Sequence, residues 1–414
     1  MLIGAFTPVS AQENGFDSLA IVVTDAKSFP ELLGNNINEI NVLRFVGQKW
    51  DPVPFQIDTK SSNNAYLFPG DAGFGRKTLA PQDEFVLQTD DLGQKAPPEM
   101  LEKIGAGYEV SVHKGNERAY FYVGRFGMEK SKRDYIRFEE KNSAVVTDRY
   151  RIGCHPDNAS FFNEISMGGV NHLDRVKLRA EATFLFGKIR VSRNEEDILG
   201  WPDGVVDGPV RVLQRVKYAV RILGDIRSPE VSRVTKSYRA VYEIPNDLRV
   251  PVRLDYFFTD LTSNAYFDFR PEVYGAKIYC PTCGDGFLIN GKMDPFENAD
   301  TGLGSQNFSL CSKYGNMTTT VHMWGPTLDL PIKTSGWYKD AATVPDPPED
   351  VKGTHGSFGY RLSGLGKVPP GKYDFTLVLF FPEKCPGKSG SVKLADRYFA
   401  PFDIQVKRIE KSTK

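Results

Sequence analysis

This 414-residue sequence predicts an all-β fold built from antiparallel β-sandwich domains, and three observations carry the prediction. Short runs of aromatic and β-branched residues recur along the chain, each closed by polar or turn residues. The 38 glycines and 27 prolines punctuate those runs, while 28 phenylalanines and 18 tyrosines suit pleated surfaces. No long segment carries apolar residues at helical spacing.

In chain order, residues 1–12 (MLIGAFTPVSAQ) read as the back half of a bacterial signal peptide. Met1–Phe6 is too short to span a bilayer, and Val9 and Ala11 set small residues where signal peptidase accepts them. Export is therefore expected, to the periplasm, the cell surface or the medium. A first β domain is expected over 13–140. Its strands are SLAIVVTD, INVLRFVGQKW and VPFQID; Pro98–Ile104 forms a two-turn helix with Gly105 behind it, and Val110–His113 and Ala119–Val123 form a hairpin tipped by Gly115 and Asn116. The charged run from Met128 reads as a solvated connection.

A larger sandwich is expected over 145–414, with strands at Arg175–Phe186, Pro209–Leu223, Arg233–Ile244 and Val250–Phe258. Near-alternation of polar and apolar residues in VKLRAEATFLF and VRVLQRVKYAVRI predicts a large sheet with one wet face. Arg211, Arg215 and Arg221 share one side of their strand, read as solvated rather than as an acidic-polymer site. Trp201-Pro-Asp-Gly and Asp207-Gly-Pro read as turns around a short hairpin. Residues 276–358, rich in Gly, Asn, Asp, Pro, Ser and Thr, read as long loops and as the functional surface. PPGKYDFTLVLFFPEK and ADRYFAPFDIQVKRIE return to strand.

Composition excludes some partners. Fifty-two basic residues balance 52 acidic ones, so no net field draws the chain to nucleic acid or to an anionic membrane. After the first dozen residues the longest apolar runs, such as Phe375–Phe381, are far too short for a membrane helix. Five cysteines in an exported chain invite disulfides and leave one over. At least one bridge is expected between two of Cys154, Cys280, Cys283 and Cys311. Cys385, in the short turn Glu383–Gly387, is expected to be the single thiol. Cys280 and Cys283 also have the spacing of half a zinc site, which Cys154 and His155 can complete only if the fold brings them together. A redox dithiol ranks below both, because the βαβ pattern around thioredoxin-like motifs is absent.

No HExxH, P-loop, strand-borne GxGxxG or GxSxG occurs. His355-Gly-Ser357-Phe-Gly359 approaches a nucleophile elbow but lacks its first glycine and its strand–turn–helix context. Asp294, Glu297 and Asp300 offer hard oxygens to Ca²⁺, without the spacing of an EF-hand; a solvated acidic loop is the plainer reading. No cofactor is predicted, Ca²⁺ and Zn²⁺ being the only options these residues raise. Asp83 with Glu84 and Asp90 with Asp91 are adjacent pairs that cannot converge on one glycosidic bond, and read as turn and edge polarity. Trp324 and Trp337 lie in the long polar region near His322 and His355, the setting in which Trp rings stack on sugars, and these four are the binding candidates.

The stretch Trp50–Asp58 (WDPVPFQID), with Pro81–Leu87 and Asp90–Gly93, resembles a pattern near the start of uncharacterised exported bacterial β-sandwich proteins. Asp207–Arg211 is similar to strand openings in the same group and in large sandwich domains of carbohydrate-active enzymes, which share the galactose-mutarotase fold. That resemblance implies a supersandwich and carries over no catalytic residue. Three functions stay open: a non-catalytic exported subunit that assembles with envelope or extracellular proteins; a polysaccharide lyase or glycoside hydrolase; and a metal or redox accessory protein.

Overall fold

The computed structural model describes residues 19–184, 188–223, 226–250, 253–256, 258–294 and 307–410; the signal-peptide segment and the acids Glu297 and Asp300 lie outside them. The fold is all-β, and every strand pairing that joins two named strands is antiparallel. It divides into two compact units, 1–133 with 399–414, and 134–398.

In the first unit a three-stranded sheet (Ile21–Asp25, Glu84–Gln88, Gln56–Asp58) and a five-stranded sheet (Asp403–Ile409, Gly107–Lys114, Glu117–Gly124, Asn41–Val46, Lys49–Pro52) share one core. Val22, Phe85 and Leu87 of the first meet Val42, Val110, Val112, Phe121 and Val123 of the second. INVLRFVGQKW is two strands rather than one. Gly47 and Gln48 take positive φ of 57° and 63°, the mirror-image turn whose twist matches a tight hairpin. Gly115 does the same between the next two strands, at φ 61°. The last strand pairs with Gly107–Lys114, so the end of the chain belongs to this unit and not to the later sandwich. Asp83 and Glu84 are buried rather than edge residues. Asp83 accepts from the backbone N–H of Lys60 and Ala80 at 2.9 and 2.8 Å, and Glu84 pairs with the Lys60 ammonium at 2.5 Å, so together they fix the 60–83 loop.

The second unit contains three sheets. The first holds Val170–Asn171, Asn158–Met167, Arg151–His155, Ala144–Thr147 and Ile136–Glu139, the second Ile189–Asn194, Leu173–Phe184, Phe258–Phe269, Thr354–Ser363 and Lys333–Ala341. The third has ten strands, centred on Val241–Val250, Gly371–Phe380 and Gly315–Met323. One core joins all three: Ile152 and Phe162, Phe267 and Phe358, and Tyr242, Leu310 and Leu379. The 276–358 region is therefore not a run of loops. It contributes Lys277–Tyr279, Asn307–Ser312, Gly315–Met323, Lys333–Ala341 and the first half of Thr354–Ser363. Thr and Ser fill these strands, and Ser309, Thr318, Thr319 and Ser357 are fully buried, which conceals them from an apolar pattern.

Three further expectations are corrected. Ala395–Phe399 ends a helix, Gly387–Phe399, whose buried Ser391, Leu394 and Ala395 follow i, i+3, i+4. Trp201-Pro-Asp-Gly is a bulge inside strand Ile198–Asp207, where pairing slips between Pro202 and Gly204. Arg211 is not solvated: it is fully buried, with its guanidinium bonded to the Tyr238 hydroxyl at 3.3 Å.

Two disulfides form. Cys280 is bridged to Cys283, in line with the expected crosslink, but Cys385 is bridged to Cys311 and the single thiol is Cys154. The cause is sheet order: Asn307–Ser312 pairs with Gly315–Met323, which pairs with Gly371–Phe380, and the chain leaving that last strand passes Cys311. The Asn316 amide holds the exit by donating to the carbonyls of Pro382 and Glu383. Burial pushes the Cys154 thiol up to about 11, so it is inert as a nucleophile at neutral pH. The 74-residue separation of Cys311 and Cys385 closes a long loop. Replacing both with serine is expected to cost about 2–4 kcal/mol in urea unfolding. Replacing Cys280 and Cys283 is expected to cost less, because their loop is short. Equal costs would contradict this ordering.

Candidate functional site

The four binding candidates lie in three places. His322 and Trp324, at the end of strand Gly315–Met323, face each other with ring centroids 5.2 Å apart; Trp324 is exposed, and burial lowers the affinity of His322 for its proton. His355 is buried and engaged at both nitrogens, by the Tyr274 hydroxyl at 2.7 Å and the Lys352 carbonyl at 3.2 Å, so it holds a turn. Trp337, half-buried, packs on Tyr266 with centroids 4.3 Å apart. Of the metal candidates, Cys280 and Cys283 are joined to each other and so offer no thiolate pair. Among the described residues no three His, Cys, Asp or Glu gather to hold an ion.

Trp337 belongs to a feature that sequence reading located only as a wet sheet face. In the five-stranded sheet, register places Lys177, Tyr266, Gly359 and Trp337 in one row across four strands; Arg179, Asn264, Arg361 and Ser335 make the next row. The opposite face, with Val176, Phe267, Phe358 and Tyr338, is the core. Gly359 is required at its place, since a Cβ there would lie 2.4 Å from the Tyr266 Cα, and its absence lets the two rings close over the strand.

One end of this polar face is covered by residues 344–353, and buried charge holds the cover down. Lys177, with no exposed side chain, sits 2.7 Å from the Asp268 carboxylate and 3.4 Å from that of Asp346, and also donates to the Asp346 carbonyl. Arg179 bonds Glu195 and, at 3.3 Å, Asp346. Arg175 reaches Asp350 at 3.0 Å, and Asp174 accepts from the backbone N–H groups of Asp350 and Val351. The Tyr266 hydroxyl donates to Asp346 at 2.6 Å, which ties the aromatic pair to the edge of the cover.

The carboxylates divide by environment. Burial raises Asp268 and Asp174 above the usual range, the cations near them notwithstanding. Burial also works on Asp346, but the Tyr266 hydroxyl, Lys177 and Arg179 outweigh it and hold Asp346 low. Glu349 is held low by the N–H of Asp346, against burial, and by that of Gly353. Each of these acids is engaged by a cation or by backbone N–H groups.

Beside the cover, the Asn264 side-chain oxygen is buried and no described group donates to it. Arg361, directly opposite in register, is exposed. The alternation in VKLRAEATFLF could have located Lys177 and Arg179 on this face; nothing local marks Asp346, 169 residues away.

No family model and no curated protein matches the chain. Solved structures do. An α-mannosidase from Enterococcus faecalis V583 superposes over 95% of this chain with a TM-score of 0.52 at 10% identity. A protein in the glycosyl hydrolase family 38 from Enterococcus faecalis does so over 94%, with a TM-score of 0.50 at 9% identity. The chain spans 45% of the length of each. At these identities the likeness is one of fold.

The pH response of the cover follows from Asp346 and Glu349, whose folded values lie below their unfolded ones near 4. Their stabilisation is complete above that pH and is lost as pH falls through the lower folded values. Asp268 and Asp174, raised by burial, take up their protons first, at higher pH. Trp337 fluorescence, assigned by comparison with W337F, reports the Tyr266–Asp346 bond and is expected to show a further change below about pH 4 as Asp346 is protonated. No change in that acid range would contradict the assignment.

Proposed function

We propose that this chain is a carbohydrate-associated sandwich protein that holds a glycan on the Trp337–Tyr266 face and does not cleave it. The observation that carries the reading is a half-buried Trp packed on a Tyr beside an unpartnered buried amide oxygen, on the polar side of a sheet. Aromatic faces take the apolar side of a pyranose, and an amide oxygen takes a hydroxyl proton. The fold shared with an α-mannosidase supports a saccharide as the ligand class. Binding is favoured over hydrolysis because Asp268, Asp346 and Glu195 are each neutralised by Lys177 or Arg179. The two disulfides support export.

A second reading, docking of a protein partner, has its own support in exposed Trp324 and Leu328. Affinity electrophoresis against a polysaccharide panel separates the two. Trp337→Ala is expected to weaken glycan retention roughly thirtyfold, the cost of a buried aromatic anchor, while Trp324→Ala leaves it unchanged. No reducing ends or unsaturated products are expected. Retention that follows Trp324 instead of Trp337 would reject the site.

A further inference from the structure

We infer that the glycan is anionic, carrying uronate or sulfate groups, and that Arg361, Lys333 and Lys339 receive them; this rests on the binding face just proposed. The argument begins with register. In strand Lys333–Ala341, residues 333, 335, 337 and 339 point to the polar side while Gly336, Tyr338 and Asp340 are buried. Lys333 and Lys339 thus flank Trp337 along one strand, and Arg361 lies across from Ser335 on the neighbouring one.

What distinguishes these three cations from the rest of the face is that they have no acid. Arg175, Lys177 and Arg179 are each within 4 Å of a carboxylate, and Arg190, further along, pairs with Glu181. Among the described residues Arg361, Lys333 and Lys339 pair with none, although the chain as a whole has as many acids as bases. Elsewhere on the sheet the sequence supplies a counter-ion for each cation, whereas around Trp337 it leaves three positive charges open. A neutral sugar gains only hydrogen bonds to its hydroxyls from such a strip. A carboxylate or sulfate does, because a charge-assisted hydrogen bond is roughly twice as strong as a neutral one and Arg presents a fork that fits planar anions.

The geometry then assigns roles. The Trp337 ring stacks one residue of the polymer, the Asn264 oxygen takes a hydroxyl proton, and Arg361, directly opposite Asn264, binds the acidic group of the same or the adjoining sugar. Lys333 and Lys339 extend the positive strip along the strand, which suits a polymer more than a monosaccharide.

The test is isothermal titration of the whole protein with oligogalacturonate, sulfated galactan oligosaccharide and neutral mannan oligosaccharide of matched length, at low and at high salt. Uronate or sulfate oligomers are expected to bind more tightly than mannan, with affinity falling as salt rises. Arg361→Gln with Lys333→Gln and Lys339→Gln is expected to reduce anionic binding roughly tenfold to a hundredfold and leave mannan binding unchanged. The two acidic ligands distinguish carboxylate from sulfate recognition. All three substitutions fall on a solvated face, and an unchanged melting temperature confirms folding. Mannan bound as tightly as the acidic oligomers would overturn the inference and leave the glycan face standing. Equal binding of single-stranded DNA at matched charge would also overturn it, by reducing the strip to a general polyanion surface. Failure of every oligosaccharide to bind would overturn the glycan face itself.

Discussion

Lys177 is an ammonium with no exposed side chain, and much of the second unit is arranged around that fact. Burying a lone charge costs several kcal/mol even after relaxation, so the position is tenable only with carboxylates and further acceptors in place. Asp268 supplies one from the neighbouring strand; Asp346 supplies a carboxylate and a carbonyl from a loop that has to come to the lysine. Segment 344–353 is therefore fixed over one end of the sheet, with Arg175 and Arg179 engaging it two residues on either side along the same strand. Asp340 does comparable work at the loop's origin, where its buried carboxylate accepts from the N–H groups of Asn290, Gly291 and Gly356.

That cover defines the face it leaves open. Asp346 holds the Tyr266 hydroxyl, Tyr266 supports Trp337, and Gly359 beneath them admits no side chain. The charges divide in the same way. Arg175, Lys177 and Arg179 are matched by acids and hold the cover, whereas Arg361, Lys333 and Lys339 pair with no acid among the described residues. Matched and unmatched cations thus share rows of one sheet and differ by strand, Lys177 lying in the row of Trp337 and Arg179 in that of Arg361.

Local signals in the sequence located the parts of this fold that local chemistry determines. Alternating strands, the Gly115 hairpin and helix Pro98–Ile104 with Gly105 at φ 86° all follow from turn and capping preferences. The wet face was legible from VKLRAEATFLF, and Trp337 from its loop-like surroundings. Long-range chemistry was not. The Cys311–Cys385 bridge depends on three strands being adjacent, and the Lys177 network joins residues 177, 268 and 346. Polarity misled in a consistent way: Asp83, Glu84, Arg211 and the threonines of Gly315–Met323 are buried because partners await them, and a one-dimensional pattern carries no partners. Residues 395–399 read as strand from their aromatic end, yet they close helix Gly387–Phe399, whose Ser391, Leu394 and Ala395 follow i, i+3, i+4.

Hydrogen exchange of the backbone amides in 344–353, compared between the wild type and Lys177→Met, tests the central claim most directly. The N–H groups of Asp350 and Val351 are held by Asp174 of the sheet only while the segment is docked, whereas those of Asp346 and Gly353 bond Glu349 within the segment itself. Loss of the ammonium leaves Asp268 without a cation and Asp346 with Arg179 alone, so protection is expected to fall at Asp350 and Val351 while strand Gly371–Phe380, in another sheet, keeps its own. Unchanged protection of the Asp350 and Val351 amides would contradict the account, because it would mean the cover is held by something other than the buried lysine.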